Sequence, residues 1–125
     1  AIPPLVELLT SGTAVAKEKA AAALLILAFN NSDNQVAIAK AGAIPPLVEL
    51  LGSGTDDAKE GAAAALSNLA ANFDNKVVIV KAGAIPPLVE LLMWGTADGK
   101  ENAAAALANL AVNNADNQIA IAKAG

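Results

Sequence analysis

Apolar residues recur along the chain at helical spacing, in short blocks separated by glycine, threonine and asparagine. The block LVELL, which begins at Leu5, places apolar side chains along one side of a helix. Pro3 and Pro4 come just before it, and proline suits the first turn of a helix because the amide hydrogen that it lacks would have no partner there. The pattern predicts a short helix over about residues 3–10, ended by Gly12.

A longer helix is predicted over about residues 14–29, followed by a third, short one. Thr13 stands where a capping side chain would accept from the free amide groups of the longer helix. That helix is charged in its first turns and apolar in its last ones, so its C-terminal half should be the buried part. The segment DNQVAIAKAG predicts the third helix, with Ser32 or Asp33 as its cap and Gly42 as a left-handed stop.

This three-helix pattern occurs three times. The string AIPPLVELL begins at Ala1, Ala43 and Ala84, which divides the chain into units 1–42, 43–83 and 84–125. Unit two is one residue shorter, in a loop between Ala70 and Asp74. A unit of this size cannot close a core alone, but stacked units make a continuous one. We therefore predict an all-α solenoid that forms a single domain over 1–125. A four-helix bundle is the alternative, but it would not explain the fixed phase.

Composition excludes several classes of protein. The net charge is −4, with eight lysines and no arginine, which argues against a nucleic-acid partner because such binding depends on clustered positive charge. No apolar run approaches the roughly 18 residues that span a bilayer, and the N-terminus lacks a signal-peptide pattern, so no membrane association is expected. We expect a soluble protein, cytoplasmic or nuclear if it is natural.

The residue types that catalysis needs are largely missing. The chain has no His, Cys, Tyr or Arg, so we expect no catalytic residues, no metal site and no cofactor. The pair Asp56 and Asp57 lies at a predicted helix start, where the helix dipole favours negative charge without any catalytic role.

Two sets of strings resemble armadillo repeats, the family of importin-α, β-catenin and the plant U-box proteins. KAGAIPPLVELL at Lys40–Leu51 and Lys81–Leu92 resembles the family's first-to-second helix junction, and ALSNLA and ALANLA at Ala65–Ala70 and Ala106–Ala111 resemble its third helix. The resemblance covers the whole chain. It implies a right-handed solenoid of three three-helix repeats that binds extended peptide segments along a concave groove lined by the third helices.

The resemblance also assigns residues to that groove. A third-helix asparagine that contacts the ligand's backbone corresponds to Asn68 and Asn109, whereas unit one carries Ile26. The alternative is that these amides only bridge neighbouring helices. A groove tryptophan one turn earlier, typical of import-signal binding, is replaced by alanine in all three units, at Ala22, Ala64 and Ala105. Binding of the importin type is therefore not expected.

Other positions carry two interpretations each. Lys19, Gly61 and Asn102 vary among near-invariant neighbours, which indicates either ligand selectivity or surface drift. Trp94, beside Met93, either anchors a partner or covers the edge of the next helix, and we expect the latter. Phe29 is predicted to fill the core or the groove. Acidic residues repeat at Glu7, Glu49 and Glu90, where a solvated face is expected rather than a stripe for basic partners.

The two ends of the chain suggest an alternative function. Neither end has the polar capping repeat that solenoids normally need. We expect exposed apolar residues at both ends, namely Ile2, Leu5 and Leu9 at one and Val112, Ile119 and Ile121 at the other. Gly125 would then lie against Ala1 of a second copy as Gly42 lies against Ala43, in a head-to-tail homo-oligomer. Near-identical units without caps indicate a fragment of a longer array, or a designed or reconstructed repeat. A self-assembling module without a cognate ligand is thus the alternative to a peptide-binding scaffold.

Overall fold

The computed structural model describes residues 1–112 and 114–124, and in these residues the chain forms nine helices and no strands. The short first helices of the units are α1 (Ile2–Ser11), α4 (Ile44–Ser53) and α7 (Ile85–Trp94). The long second helices are α2 (Ala14–Ala28), α5 (Asp56–Leu69) and α8 (Ala97–Ala111). The third are α3 (Ser32–Lys40), α6 (Phe73–Lys81) and α9 (Ala115–Ala124). The all-helical prediction is confirmed, and the helix bounds in unit one agree with it to within about one residue.

The long helices begin as predicted. Thr13, Thr55 and Thr96 each accept a hydrogen bond from a backbone amide in the first turn, over 3.1, 3.2 and 3.0 Å. The proline pairs lie in the first turns of α1, α4 and α7. These starts are local features, which is why the sequence alone predicts them.

The predicted cap of α3 is wrong by one or two residues. Asn31 precedes the helix, and its Oδ1 accepts from the backbone amide of Asn34 over 2.9 Å, so Ser32 is already the first helical residue. The same asparagine cap recurs before α6 and α9, at Asn72 and Asn114. The side-chain carbonyl of asparagine caps a helix as well as serine or aspartate does. Asn31 also has the extended backbone of a capping residue.

Glycines end the helices in two different ways. Gly42 and Gly83 have φ of 87°, the left-handed conformation predicted for Gly42. Gly125 lies outside the described residues. Gly95, by contrast, is extended, with φ of −77°. A Cβ added there would lie 2.5 Å from the carbonyl oxygen of Leu91. Glycine is therefore needed because this backbone lies close to the last turn of α7, and not because of its φ.

Six of the nine described helices form two packed layers, and the third helix of each unit contacts both. The long helices α2, α5 and α8 pack side by side, and α1, α4 and α7 pack behind them. Small side chains line the contacts between long helices, where Ala21 and Ala63 are fully buried. The buried side chains form one cluster that extends from Val6 in α1 to Leu110 in α8. Each unit thus contributes a section of a shared core and exposes one side of its long helix.

None of the described helices could cross a bilayer alone. Two bent pairs reach the necessary length and apolarity when taken together, α3 with α4 at 81° and α6 with α7 at 84°. Much of their apolar character belongs to side chains buried in the core, such as Ile44 and Leu88.

Candidate functional site

One side of α2, α5 and α8 stays accessible, and we call it the long-helix face. It consists of five equivalent positions in each unit, spaced alternately four and three residues apart. The first four share one side of the long helix, and the fifth follows the end of that helix. In and after α2 they are Val15, Lys19, Ala22, Ile26 and Phe29; in and after α5 they are Asp57, Gly61, Ala64, Asn68 and Ala71; in and after α8 they are Asp98, Asn102, Ala105, Asn109 and Val112. All of these residues are exposed or half-buried.

Asn68 and Asn109 connect each long helix to the preceding one. Nδ2 of Asn68 donates to the carbonyl oxygen of Leu25 over 3.1 Å. Nδ2 of Asn109 donates to both the carbonyl oxygen and Oγ of Ser67, over 2.9 and 3.0 Å. The bridging interpretation of these amides is therefore correct as far as their nitrogen atoms are concerned.

The acceptor carbonyls are available because the long helices end there. In a continuing helix the amide of Phe29 would bond the carbonyl of Leu25, but it donates instead to Ile26 over 3.3 Å. The amide of Ala71 likewise donates to Asn68 over 3.3 Å and leaves the carbonyl of Ser67 to the next unit. Each asparagine thus satisfies an orphan carbonyl at the C-terminal end of its neighbour.

This bridge fixes the direction of the rest of the side chain. Among the described residues, no donor bonds Oδ1 of Asn68 or of Asn109. No buried side-chain oxygen or nitrogen there lacks a partner, so both Oδ1 atoms are accessible. Asn109 uses its nitrogen for two bonds and offers only an acceptor, whereas Asn68 also retains an N–H.

The three variable positions differ in environment. Lys19 is exposed, and Gly61 and Asn102 are half-buried. Nδ2 of Asn102 donates to the carbonyl oxygen of Glu60 over 3.1 Å and so forms a further bridge between α8 and α5. A Cβ added at Gly61 would make ordinary contact with Cβ of Ala21 at 3.6 Å.

Two more polar contacts connect the units away from these asparagines. Thr55 and Thr96, besides capping their helices, donate from Oγ1 to the carboxylates of Glu18 and Glu60 in the preceding unit. The sequence predicts the caps but not these bonds to the neighbouring unit.

Lys76, a third connection, is almost wholly buried. Its Nζ donates to the carbonyl oxygen of Val112 over 2.9 Å. Sequence reasoning missed this residue, although glutamine stands at the equivalent positions of the other two units.

Unit one presents an apolar surface where the other units present amides. Ile26 is 73% exposed and Phe29, one turn further on, is 64% exposed. Phe29 is therefore not a core residue, and of its two predicted roles only the groove remains.

The expectation for Trp94 is wrong. Its side chain is 78% exposed, so it does not cover the edge of the next helix. It borders a shallow depression together with Leu51 and Lys59 of unit two. The three acidic residues at 7, 49 and 90 are exposed, as a solvated face requires.

The residues predicted at the ends differ in burial. Leu9 is 2% exposed, which contradicts the expectation, because it faces the core between α1 and α2. Ile2, Leu5 and Ile121 are half-buried against the core, and Val112 and Ile119 are exposed. Val112 belongs to the long-helix face, where the equivalent Phe29 and Ala71 are exposed too.

The exposed end surface includes residues that the sequence did not single out. Leu92 is 38% exposed while its equivalent Leu51 is buried, and Leu27 is half-buried while its equivalent Leu69 is buried. Comparison of equivalent positions across the units is the signal that finds them. Among the described residues, no group of His, Cys, Asp or Glu side chains is arranged to hold a metal ion.

Comparison with known proteins identifies the repeat. The family model "Armadillo/beta-catenin-like repeat" matches residues 31–71 and 72–112. No curated protein matches the chain at a significant level.

Several of the similar solved structures are designed proteins. A computationally designed armadillo repeat protein for modular peptide recognition has 35% identity and a TM-score of 0.92, over 100% of this chain and 53% of its own. A designed armadillo repeat protein in complex with the peptide (KR)4 has 31% identity and a TM-score of 0.92, with the same coverage. The chain thus spans about half the length of these structures. Since the family model covers well over half of its residues, the chain belongs to the Armadillo/beta-catenin-like repeat family.

Proposed function

We propose that the chain is a single domain over 1–125, a right-handed solenoid of three armadillo units that binds extended peptide segments on the long-helix face. Asn68 and Asn109 contact the peptide backbone. Lys19, Gly61, Asn102 and Ile26 line the same face and contact its side chains.

The observation that carries this proposal is the fixed orientation of the two asparagines. Their nitrogen atoms are held by the preceding helix, and their oxygen atoms are accessible. A peptide amide can therefore bond Oδ1 without first ordering the side chain, which lowers the entropic cost of binding. A side-chain amide recognises main-chain groups whatever the peptide sequence. Bridging and ligand binding are thus two uses of one side chain.

A similar designed protein is in complex with the peptide (KR)4, which supports a peptide ligand for this chain. This chain offers only two asparagines at the corresponding positions, since Ile26 replaces the third. We therefore expect modest affinity.

The proposal is tested by selecting extended peptides from a displayed library and measuring the labelled peptides by fluorescence anisotropy. Asn68→Ala and Asn109→Ala should each weaken binding by about 3- to 10-fold, the effect of about one net hydrogen bond. Binding that is unchanged in the double variant would refute the proposal.

Loss of the bridges themselves must be separated from loss of peptide contacts. Asn75→Ala is the matched control, because Nδ2 of Asn75 donates to the carbonyl oxygen of Gln35 over 3.2 Å, across the junction that Asn68 also spans. It lies on α6, outside the long-helix face. We expect it to lower stability and to leave peptide affinity unchanged.

Self-association is the second candidate function, and the burial differences between units favour it. Leu92 and Leu27 are exposed or half-buried where their equivalents inside the chain are covered by a neighbouring unit. A second copy placed head to tail would cover both. Such a contact is heterologous and extends into filaments unless the rotation closes it.

Light scattering coupled to size exclusion, over a concentration series, tests this candidate. The mass should rise with concentration in the wild type and fall to the monomer mass in Leu92→Glu. Val78→Glu is the control, because Val78 is exposed to a similar extent on α6. A constant monomer mass in the wild type would dismiss self-association.

A further inference from the structure

We infer, on the basis of the proposed function, that the long-helix face is chemically directional: it binds a peptide with a bulky apolar residue over α2 and basic residues over α5 and α8. The ligand class is thus an extended segment with an apolar end and a basic end. Two features of the face differ between the units: its charges, and an apolar surface that unit one alone presents.

The charges reverse along the face. Asp57 and Asp98 occupy the same position in α5 and α8, both exposed, whereas unit one has the uncharged Val15 there. One turn further along the helix, Lys19 is charged and exposed in unit one, whereas Gly61 and Asn102 are neutral. A basic peptide residue is therefore attracted over units two and three and repelled over unit one.

The apolar surface of unit one consists of Ile26 and Phe29 beside the small, exposed Ala22. Ala22 and Ile26 are neighbours on α2 because they lie four residues apart, and Phe29 follows Ile26 at the C-terminal end of the helix. A bulky aliphatic or aromatic side chain would contact both Ile26 and Phe29. We call these three residues the apolar shelf.

The exposure of the shelf is not only a consequence of unit one's position in the chain. The position of Phe29 is exposed in every unit, at Ala71 in unit two and at Val112 in unit three, whatever lies beside it. Only in unit one is it occupied by a large aromatic side chain. Because Ile26 is also uncharged and bulky where the other units carry amides, unit one has no asparagine for the peptide backbone and offers apolar contact instead.

The test uses short labelled peptides with leucine near one end and lysines near the other, made in both chain directions, and a matched set with serine in place of leucine. In its better-bound direction, the leucine peptide should bind the wild type at least about fivefold more tightly than the matching serine peptide, the effect of covering part of one apolar side chain. Equal binding of the leucine and serine peptides in both directions would overturn the inference.

Two double variants test the apolar and the basic contacts of the peptide separately. The double substitution of Ile26→Ala with Phe29→Ala should weaken binding of the leucine peptide by about 5- to 10-fold and leave the serine peptide unchanged. The double substitution of Asp57→Asn with Asp98→Asn should weaken lysine-containing peptides by about threefold per carboxylate at low salt, with a smaller effect at high salt. Equal losses on leucine and serine peptides in the shelf variant would also overturn the inference.

Val78→Ala is the control for removing exposed apolar surface. Val78 is 45% exposed and lies on α6, outside the long-helix face, and alanine stands at the equivalent positions Ala37 and Ala120. This variant should bind every peptide as the wild type does. If peptides bind with dependence on Asn68 and Asn109 but without a preference for leucine over serine, this inference alone fails. If no peptide binds with that dependence, the proposed function fails as well.

Discussion

Replacement of Gly61 by alanine should stabilise the protein. Gly61 lies inside α5, and its backbone does not have the positive φ that would strain an alanine. Alanine is favoured over glycine in a helix interior by about 1 kcal/mol. The added Cβ would meet Cβ of Ala21 at 3.6 Å and the backbone nitrogen of Ala22 at 4.0 Å, which are ordinary contacts. We therefore expect a gain of about 1 kcal/mol in the free energy of unfolding, or about 4 °C in Tm.

The same substitution at Gly54 should destabilise the protein. There a Cβ would lie 2.8 Å from the carbonyl oxygen of Leu50 and 2.9 Å from Cβ of Ala58. The end of α4 or the start of α5 would have to shift, which costs about 1–3 kcal/mol.

Urea unfolding followed by far-UV circular dichroism measures both variants, with the linear extrapolation applied at equal slope. Gly52→Ala is a useful reference, because Gly52 is exposed near the end of α4 and a Cβ there would meet nothing within 4 Å. If Gly61→Ala were neutral or destabilising while Gly52→Ala stabilised, the packing of α5 on α2 would be tighter than described. The reasoning from Cβ contacts would then be refuted.

Three further predictions concern the hydrogen bonds between units and the left-handed glycine after α3, and each is measured by the same unfolding assay. Lys76→Ala should lower the free energy of unfolding by about 1.5–3 kcal/mol because it removes a charged donor from the carbonyl of Val112. Lys76→Gln should stay within about 1 kcal/mol of the wild type, and equal losses in the two variants would show that the lysine bond contributes nothing specific. Asn109→Ala should destabilise by about 1 kcal/mol more than Asn68→Ala, since Asn109 donates two bonds across its junction and Asn68 one; the reverse order would contradict this. Gly42→Ala should cost about 1–2 kcal/mol because of its left-handed φ, and Gly42→Asn less; a neutral Gly42→Ala would mean that the turn relaxes.

The residues of the candidate site could be predicted from the sequence, but the contacts of their side chains could not. Equivalence between units placed Ile26, Asn68 and Asn109 at one position, and the family resemblance assigned that position to the groove. Whether the amides bridge helices or face a ligand depends on which carbonyls lie within reach, and the carbonyls of Leu25 and Ser67 are 43 and 42 residues earlier in the chain. No local pattern reports such a contact.

The sequence by itself determined the helices, their threonine caps, the proline-led first turns and the left-handed Gly42, because each depends on residues a few positions apart. It also determined the repeat, since near-identical strings favour the same three-helix pattern in each unit. Only the tertiary structure decided that Leu9 is buried while Trp94 is exposed, since burial depends on which helix packs against each side. It also decided that the asparagine nitrogens are occupied and their oxygens accessible, because neighbouring units, brought together by folding, supply the partners.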